Sequence, residues 1–550
     1  MKKLSTIAIL LLVLAMAAAG CTPAAEPDTP DPGDSTTEPV FGGTYTYGIA
    51  GEPTTLNPMF STDSITSDIT NLVYESLLKT NENLELEGEI ADSWTISDDG
   101  LLITFNLKDD VYFTDGVQLT SKDVKFTYDT IMDPDYSGVR ARDVKYVTEV
   151  VAPSDFVVEF HLSQVDVPMM YTLAYSTHGI IPEHIFGSTP VIDLKEHVNS
   201  WEPIGSGPYK LTEYQPGQYI VLDANTDYHG EGPYIETVMI KIYQDNQVLL
   251  AAFENGDIDY IDTIPVDDID HVETVLADQA TFVEAPLNGY FYIGLKQNHP
   301  ILGDLKVRQA MMYSLDRQSI IDTVFKGYGT MVNTHSVPFS WAYNNDINQY
   351  PQNIELAISL LEEAGWDTVG DDGIRTNANG DKFSFVLVSM TGQEEKANVI
   401  AMVKEQWKAV GIDMQVEYYE RSVLFSQYLD VGKFEAYMWG WNLSLDPDCY
   451  ITFHSDAALD ENGVLQGFND VEYKNAEVDQ LLEEGRLTFD TEERKVIYGQ
   501  IYQILNEELP YIFLYTTNNV KGMSNKMKDV VWSPLFPIDI NKWYIDPAFH

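Results

Sequence analysis

Two cysteines, ten histidines and 86 acidic side chains are the groups in this 550-residue sequence that could carry chemistry, and their spacing restricts what that chemistry could be. Cys21 and Cys449 stand alone, so neither a disulfide framework nor a multi-cysteine metal site can be assembled. No histidine lies four residues from another, which removes the simplest helical metal pair. At this density of acids, neighbours such as Asp371 and Asp372 arise by chance and say nothing of acid–base catalysis. Residues 377–381 are rich in oxygen ligands but lack the ordered acidic spacing and distal Glu of a calcium loop, and Asn379-Gly380 reads as a hairpin turn. The motifs GxSxG, HExxH, GxxxxGKS/T and GxGxxG are all missing. The sequence is expected not to be an enzyme and to hold no cofactor or metal.

The elements that would position a site alternate between two periods. Residues 44–49, 102–107, 156–162, 219–223, 238–243, 383–389, 414–420 and 435–439 are short, aromatic and β-branched, and read as strands. Residues 65–78, 121–132, 247–255, 307–325, 354–364, 394–410, 478–488 and 492–509 have helical spacing. Gly256, Gly365 and Gly411 follow three of these helices as stops. The fold class is therefore α/β. A formal net charge of -54 makes nucleic acid a poor partner, and 44% hydrophobic content excludes a disordered acidic chain.

Lys2 and Lys3 precede an uncharged run over residues 4–19, then Gly20 and Cys21. The run is short of the roughly 20 apolar residues of a membrane span and has the shape of an export signal. Ala18-Ala19-Gly20-Cys21 resembles the bacterial lipobox, so residues 1–20 are expected to be a lipoprotein signal and Cys21 the lipidated residue; a soluble exported protein cut nearby is the alternative. Residues 21–40 are proline-rich and acidic without a basic residue, which suits an extended tether.

Four blocks together resemble the bacterial extracellular solute-binding proteins of peptide and nickel importers, the oligopeptide/dipeptide-binding family 5. The first is Phe41-Gly42-Gly43-Thr44, Gly51-Glu52-Pro53-Thr54-Thr55-Leu56-Asn57-Pro58 and Val73-Tyr74-Glu75-Ser76-Leu77-Leu78. The second is Ile90-Ala91-Asp92-Ser93-Trp94 with Ser97-Asp98-Asp99-Gly100, Thr114-Asp115-Gly116 and Thr120-Ser121-Lys122-Asp123-Val124. The third is Ile204-Gly205-Ser206-Gly207-Pro208-Tyr209, and the fourth is Val307-Arg308-Gln309-Ala310, Leu315-Asp316-Arg317 and Glu363-Ala364-Gly365-Trp366. Most of these residues mark scaffold; Thr120 with Asp123, for instance, forms a capping-box pattern.

The resemblance implies a two-lobed, class II periplasmic-binding-protein fold with an extra domain inserted in the first lobe. Lobe 1 would comprise 41–58, 206–286 and 516–550, the insertion 59–205 and lobe 2 residues 287–515. The implied function is a monomeric, lipid-anchored extracytoplasmic receptor, periplasmic or on the cell surface. It would close on a small solute and pass it to the permease of an ABC importer. The solute would lie beside Trp439-Gly440-Trp441-Asn442-Leu443-Ser444-Leu445-Asp446-Pro447, with Trp441, Trp439, Gly440, Asn442, Ser444 and Asp446 as contacts. Asn288, Tyr290, Tyr292 and Tyr515 would flank the cleft at the crossing strands, and Thr62 and Asp63 would face it from the first lobe. Peptide binders of the family carry an Asp between this Trp and the acidic-Pro pair to hold the peptide's ammonium. Here residues 442–445 contain no acid, so a longer, backbone-read peptide is expected in preference to a dipeptide. An oligosaccharide or a chelated metal in the same fold, a sensing receptor and a secreted hydrolase are the competing readings.

Overall fold

The computed structural model describes residues 39–550. The expected export signal, Cys21 and all but the end of the tether lie outside them. Two larger sheets organise the described residues through sixteen strands. They are β1 (Thr44–Ala50), β2 (Ala91–Ile96), β3 (Leu102–Leu107), β4 (Val147–Ser154), β5 (Val157–Leu162), β6 (Tyr209–Gln215), β7 (Tyr219–Ala224) and β8 (Thr237–Tyr243). Next in the chain are β9 (Tyr260–Ile264), β10 (Ala280–Pro286), β11 (Gly289–Leu295), β12 (Gly329–Met331), β13 (Ser384–Met390), β14 (Asp413–Tyr419), β15 (Ala436–Asn442) and β16 (Tyr511–Ser524).

One sheet runs in the order β14-β13-β15-β11-β16-β9-β1-β8-β7-β6, with β10 and β12 also paired to β16. Strand β16 links the two ends of this sheet. Its first residues, Tyr511 to Tyr515, pair with β11, while Asn518 to Ser524 pair with β10. Leu287 and Asn288 join β10 to β11 and make a second link between the two ends of the sheet. A separate sheet, β2-β3-β5-β4, belongs to the insertion. Its buried Phe105, Val158 and Phe160 share one core cluster with Ile220, Leu222 and Ile240 of the first lobe, so the insertion packs on that lobe without a core of its own. A second large cluster, containing Tyr290, Ile293, Trp407 and Phe513, fills lobe 2.

Helices cover the sheet: α1 (Ser64–Val73), α2 (Ser121–Met132), α3 (Asn246–Glu254), α4 (Leu305–Tyr313), α5 (Arg317–Val324), α6 (Ile354–Glu363), α7 (Glu394–Ala409), α8 (Ala476–Leu487) and α9 (Thr491–Glu508). Thr120 and Asp123 form the capping box of α2. Two expected helices are corrected. Residues 307–325 form two helices, because Asp316 accepts from the Ser319 N–H and starts a new one. Residues 65–78 stay helical only to Val73: Tyr74 turns extended, and the carbonyls of Ser76 and Leu77 go to the N–H groups of Ile90 and Ala91. The Asn377 side chain accepts from the N–H groups of Asn379 and Asp381, closing the expected turn at Gly380. No helix among the described residues is long and apolar enough to cross a membrane.

Candidate functional site

Strand β13 runs parallel to both β14 and β15, so the carboxyl ends of all three reach the same edge of lobe 2. Crevices in open α/β sheets form at such edges. Each strand brings residues to this one: Lys396 in the first turn of α7 after β13, Arg421 after β14, and Trp439–Asn442 at the end of β15 itself. Asn288, just before the antiparallel β11, locks the edge. Its carbonyl accepts from Leu443 N–H at 2.8 Å and its Nδ2 donates to the Leu443 carbonyl at 2.9 Å.

The end of β15 has an open side. Strand β13 pairs with it only at Leu387–Ala436 and Val388–Tyr437, and among the described residues no other strand lies beside it beyond Tyr437 on that side. Because Leu443 turns its N–H to Asn288, the alternation of an antiparallel ladder turns Trp439 and Trp441 to β11 and Gly440 and Asn442 to the open side. A Cβ at Gly440 would come within 2.9 Å of the Phe291 ring, so glycine lets Phe291 lie against the strand.

Side chains alternate with the same period. Trp441 is half-buried; its ring stacks on Tyr292 at 6.2 Å and 7° and meets the exposed Phe468 at 5.4 Å. Trp439, also half-buried, lies edge-on to Phe425 at 4.9 Å. Two cations stand over Trp439, Lys396 Nζ at 4.5 Å and the Arg421 guanidinium at 5.5 Å. Burial and the neighbouring Arg421 hold the Lys396 ammonium below the usual lysine range.

Tyr290, Tyr292 and Tyr515 are placed behind this surface, each at most 2% exposed. Tyr290 shares a 2.6 Å hydrogen bond with His335 Nδ1, Tyr292 stacks on Tyr511 at 4.0 Å, and Tyr515 stacks on Phe291 at 5.2 Å. They back the site by supporting Trp441 and Phe291.

Beyond Asn442, which is exposed, the strand end is held by groups that residue spacing does not reveal. Both oxygens of Asp446 accept from Arg494, at 2.7 and 2.9 Å, with both side chains buried. Asp446 Oδ1 also accepts from Asp448 N–H, so its carboxylate is committed within lobe 2. The Ser444 hydroxyl lies 3.2 Å from Tyr175 OH of the insertion, and Leu445 N–H donates to the same phenol at 3.3 Å. Val167 N–H donates to the Arg486 carbonyl nearby. The insertion and lobe 2 therefore touch directly at the end of β15.

On the first lobe, β1 and β8 run parallel and β1 leads toward Thr62 and Asp63. Asp63 caps α1, accepting from Thr66 N–H at 2.7 Å and from Thr54 Oγ1. With Thr62, Ser67, Val139, Arg140 and Arg142 it lines a cavity of about 350 Å³ between the start of α1 and the segment around Arg140. The structure thus brings together Trp439, Gly440, Trp441, Asn442, Ser444 and Asn288 at one edge, with Thr62 and Asp63 in a separate cavity. Lys396, Arg421, Tyr175 and Arg494 were not identified from the sequence. None sits in a recognisable motif; only the scarcity of basic residues, 32 against 86 acids, sets the first two apart.

The geometry describes a two-lobed binder, and comparison with known proteins agrees. Residues 85–458, more than half of the chain, match the family described as bacterial extracellular solute-binding proteins, family 5 Middle. The oligopeptide-binding protein AppA of Bacillus subtilis is 35% identical over 540 residues, covering 97% of each chain. The structure of that AppA in complex with a nonapeptide superposes with a TM-score of 0.71, covering 92% of this chain and 100% of the other. HbpA2 from Haemophilus parasuis, at 22% identity, has the same fold with a TM-score of 0.80 and covers 92% of this chain. A relative this similar, aligned end to end, and a match across most of the insertion and much of lobe 2 make this chain a member of the bacterial extracellular solute-binding proteins, family 5.

Proposed function

We propose that this protein is an extracytoplasmic receptor that captures a peptide, an oligopeptide in preference to a dipeptide, between its lobes and delivers it unaltered to the permease of an ABC importer. The observation that carries the reading is the open side of β15, where among the described residues no strand pairs with the outward backbone groups of Gly440 and Asn442. An extended peptide can add itself there as a strand, a mode in which main-chain bonds supply affinity with little demand on sequence. Phe291, Trp439 and Trp441 furnish apolar contact around that edge. The missing acid in residues 442–445 also favours length over a free amine, since Ser444 is engaged with Tyr175 and Asp446 with Arg494. The name of the AppA relative, an oligopeptide-binding protein, points the same way.

In this reading the lobes divide where β10 passes to β11 and near Thr516 in β16, with the insertion presenting Tyr175 across the cleft. Lipidation at Cys21 would hold the receptor at the membrane beside the permease, and no catalytic step is assigned to it. Calorimetric titration with peptides of two to ten residues, an oligosaccharide panel and metal chelates tests the proposal. Peptides of five or more residues should bind, and methylating the backbone nitrogens that face Gly440 and Asn442 should weaken them by about tenfold per lost bond to a fixed donor or acceptor. Binding of a sugar or chelate with no peptide bound, or turnover of the peptide, would overturn it.

A further inference from the structure

We infer that Asp470 is a positioning residue for peptide capture: through Tyr437 and Tyr292 it sets the direction of the hydrogen bonds behind Trp441 and so holds that indole at the binding edge. The inference deepens the peptide reading and rests on it. Asp470 is buried within lobe 2, and its Oδ1 accepts from the Tyr437 hydroxyl at 2.7 Å. The hydroxyls of Tyr437 and Tyr292, both buried, are 3.2 Å apart. Each phenol has one proton to give, and an ionised carboxylate can only accept. Tyr437 spends its proton on Asp470, so it must receive that of Tyr292. The order Tyr292 to Tyr437 to Asp470 is therefore imposed by the acid at its end.

The Tyr292 ring carries that constraint to the binding edge. It stacks on Tyr511 at 4.0 Å and 24°, and on Trp441 at 6.2 Å and 7°. The Tyr511 hydroxyl borders Tyr292, Tyr437 and the Trp441 indole, yet neither it nor the Trp441 N–H has a hydrogen-bond partner among the described residues. A chain running the other way would end on the Tyr511 oxygen. Protonating Asp470 permits that reversal, because a carboxylic acid also donates. Bonds in a buried chain polarise one another, so a change at one end is felt at the other. The charged and titratable groups around the acid are few. Tyr437, Tyr292 and Tyr511 face it from β15, β11 and β16. Lys296, just after β11, pairs with Glu472 at 2.7 Å and donates to the Asp470 backbone carbonyl at 3.2 Å instead of to its carboxylate. Burial pushes the Asp470 carboxyl up to about 7, against the pull of the Tyr437 hydroxyl, Lys296 and the Val471 N–H. The two arrangements therefore exchange near neutral pH.

Isothermal titration between about pH 5.5 and 8.5 tests this, with an acetylated and amidated octapeptide free of ionisable side chains, so that the ligand itself does not titrate. The unmodified protein should bind about fivefold more weakly at the acid end, the effect of roughly one hydrogen bond, with the change centred near 7. Asp470→Asn and Tyr437→Phe should each hold that ratio below about twofold. Thermal midpoints establish that the variants are folded, and either one alone suffices. Near-ultraviolet circular dichroism of the unliganded protein, less that of Trp441→Phe, isolates the Trp441 signal. It should change over the same pH interval and stay constant when Tyr437→Phe is introduced into both proteins. A flat affinity in the unmodified protein, or the full fivefold change in either folded variant, would overturn the inference. If no peptide binds, or neither variant folds, the dichroism of the unmodified protein decides. A Trp441 signal that changes near pH 7 without any peptide binding keeps the positioning chain and sinks the peptide reading; a signal indifferent to pH sinks the inference.

Discussion

Replacing Asp446 by Ala asks whether this residue anchors the strand end or clamps a ligand ammonium. Its two oxygens take Arg494 at 2.7 and 2.9 Å, and the side chains of the pair are 2% and 3% exposed. Truncation strands a guanidinium whose one other hydrogen bond goes to the Gly485 carbonyl. Removing one partner of such a pair costs about 3–5 kcal/mol, far beyond the value of an exposed bridge. Adding Arg494→Met removes the stranded charge, so the double variant should be more stable than Asp446→Ala alone, and a double-mutant cycle should return a large coupling. Urea unfolding followed by tryptophan fluorescence reads both. The ligand arm uses Asp446→Asn: a peptide and its N-acetylated form should keep the same affinity ratio as in the unmodified protein, within about threefold, since a charge-assisted bond to the amine would move it ten- to hundredfold. A stability loss below about 1 kcal/mol, or a preference for the free amine that disappears in Asp446→Asn, would refute the anchoring role.

Two further outcomes are expected from the same geometry. Tyr175→Phe deletes the phenol that reaches Ser444 at 3.2 Å and Leu445 N–H at 3.3 Å. It should weaken ligand binding by roughly fivefold, about 1 kcal/mol for one net hydrogen bond, and enlarge the radius of gyration of the unliganded protein in X-ray scattering; an unchanged radius and affinity would show that the contact does not bias closure. Burial pushes the His335 imidazole down to about 3. A histidine whose folded pKa lies below its unfolded value of about 6.5 contributes fully above that pH and loses its contribution as pH falls toward 3, about 2 kcal/mol of it by pH 5. His335→Gln should therefore flatten the pH dependence of unfolding between pH 6.5 and 5, and parallel curves for the two proteins would contradict the assignment.

Strands with regular alternation were legible in the sequence, whereas Gly289–Leu295 and Tyr511–Ser524, buried almost throughout, show no clean period of two and were not read from residue pattern. Leu102–Leu107 and Tyr219–Ala224 bury every second side chain, so their period is written in residue types. Tyr209–Gln215 buries only Tyr209, and Ala91–Ile96 only Ala91; both are strands because a neighbour pairs with them. At the site, the run from Trp439 to Asp446 stood out through its resemblance to the family's Trp-to-acidic-Pro segment. What each residue does there was not visible. Tyr290 and Tyr292 share a strand with the partly exposed Phe291, and only the sheet's register decides which face is buried. Asp446 meets its arginine 48 residues away, and Ser444 meets Tyr175 from 269 residues away. Contacts of that separation leave no trace in local spacing.

Those long-range partners form a continuous line that bears on how the receptor closes. Arg494 on α9 fixes Asp446, the Ser444 hydroxyl accepts from Asp446 N–H at 3.2 Å, and Ser444 and Leu445 together receive Tyr175 of the insertion. The end of β15 is thus tied at once to the lobe 2 helices and to the other side of the cleft. A ligand strand laid along Gly440 and Asn442 must move or reinforce the same few residues, because they come directly after Asn442 in the chain. Ligand occupancy and contact between lobe and insertion are therefore coupled through the segment 442–446, and a ligand can bias closure only by as much as it favours that segment's docked position. In the proposed site, residues 442–445 carry no acid and Ser444 and Leu445 are engaged with Tyr175, so recognition there would fall to the backbone edge.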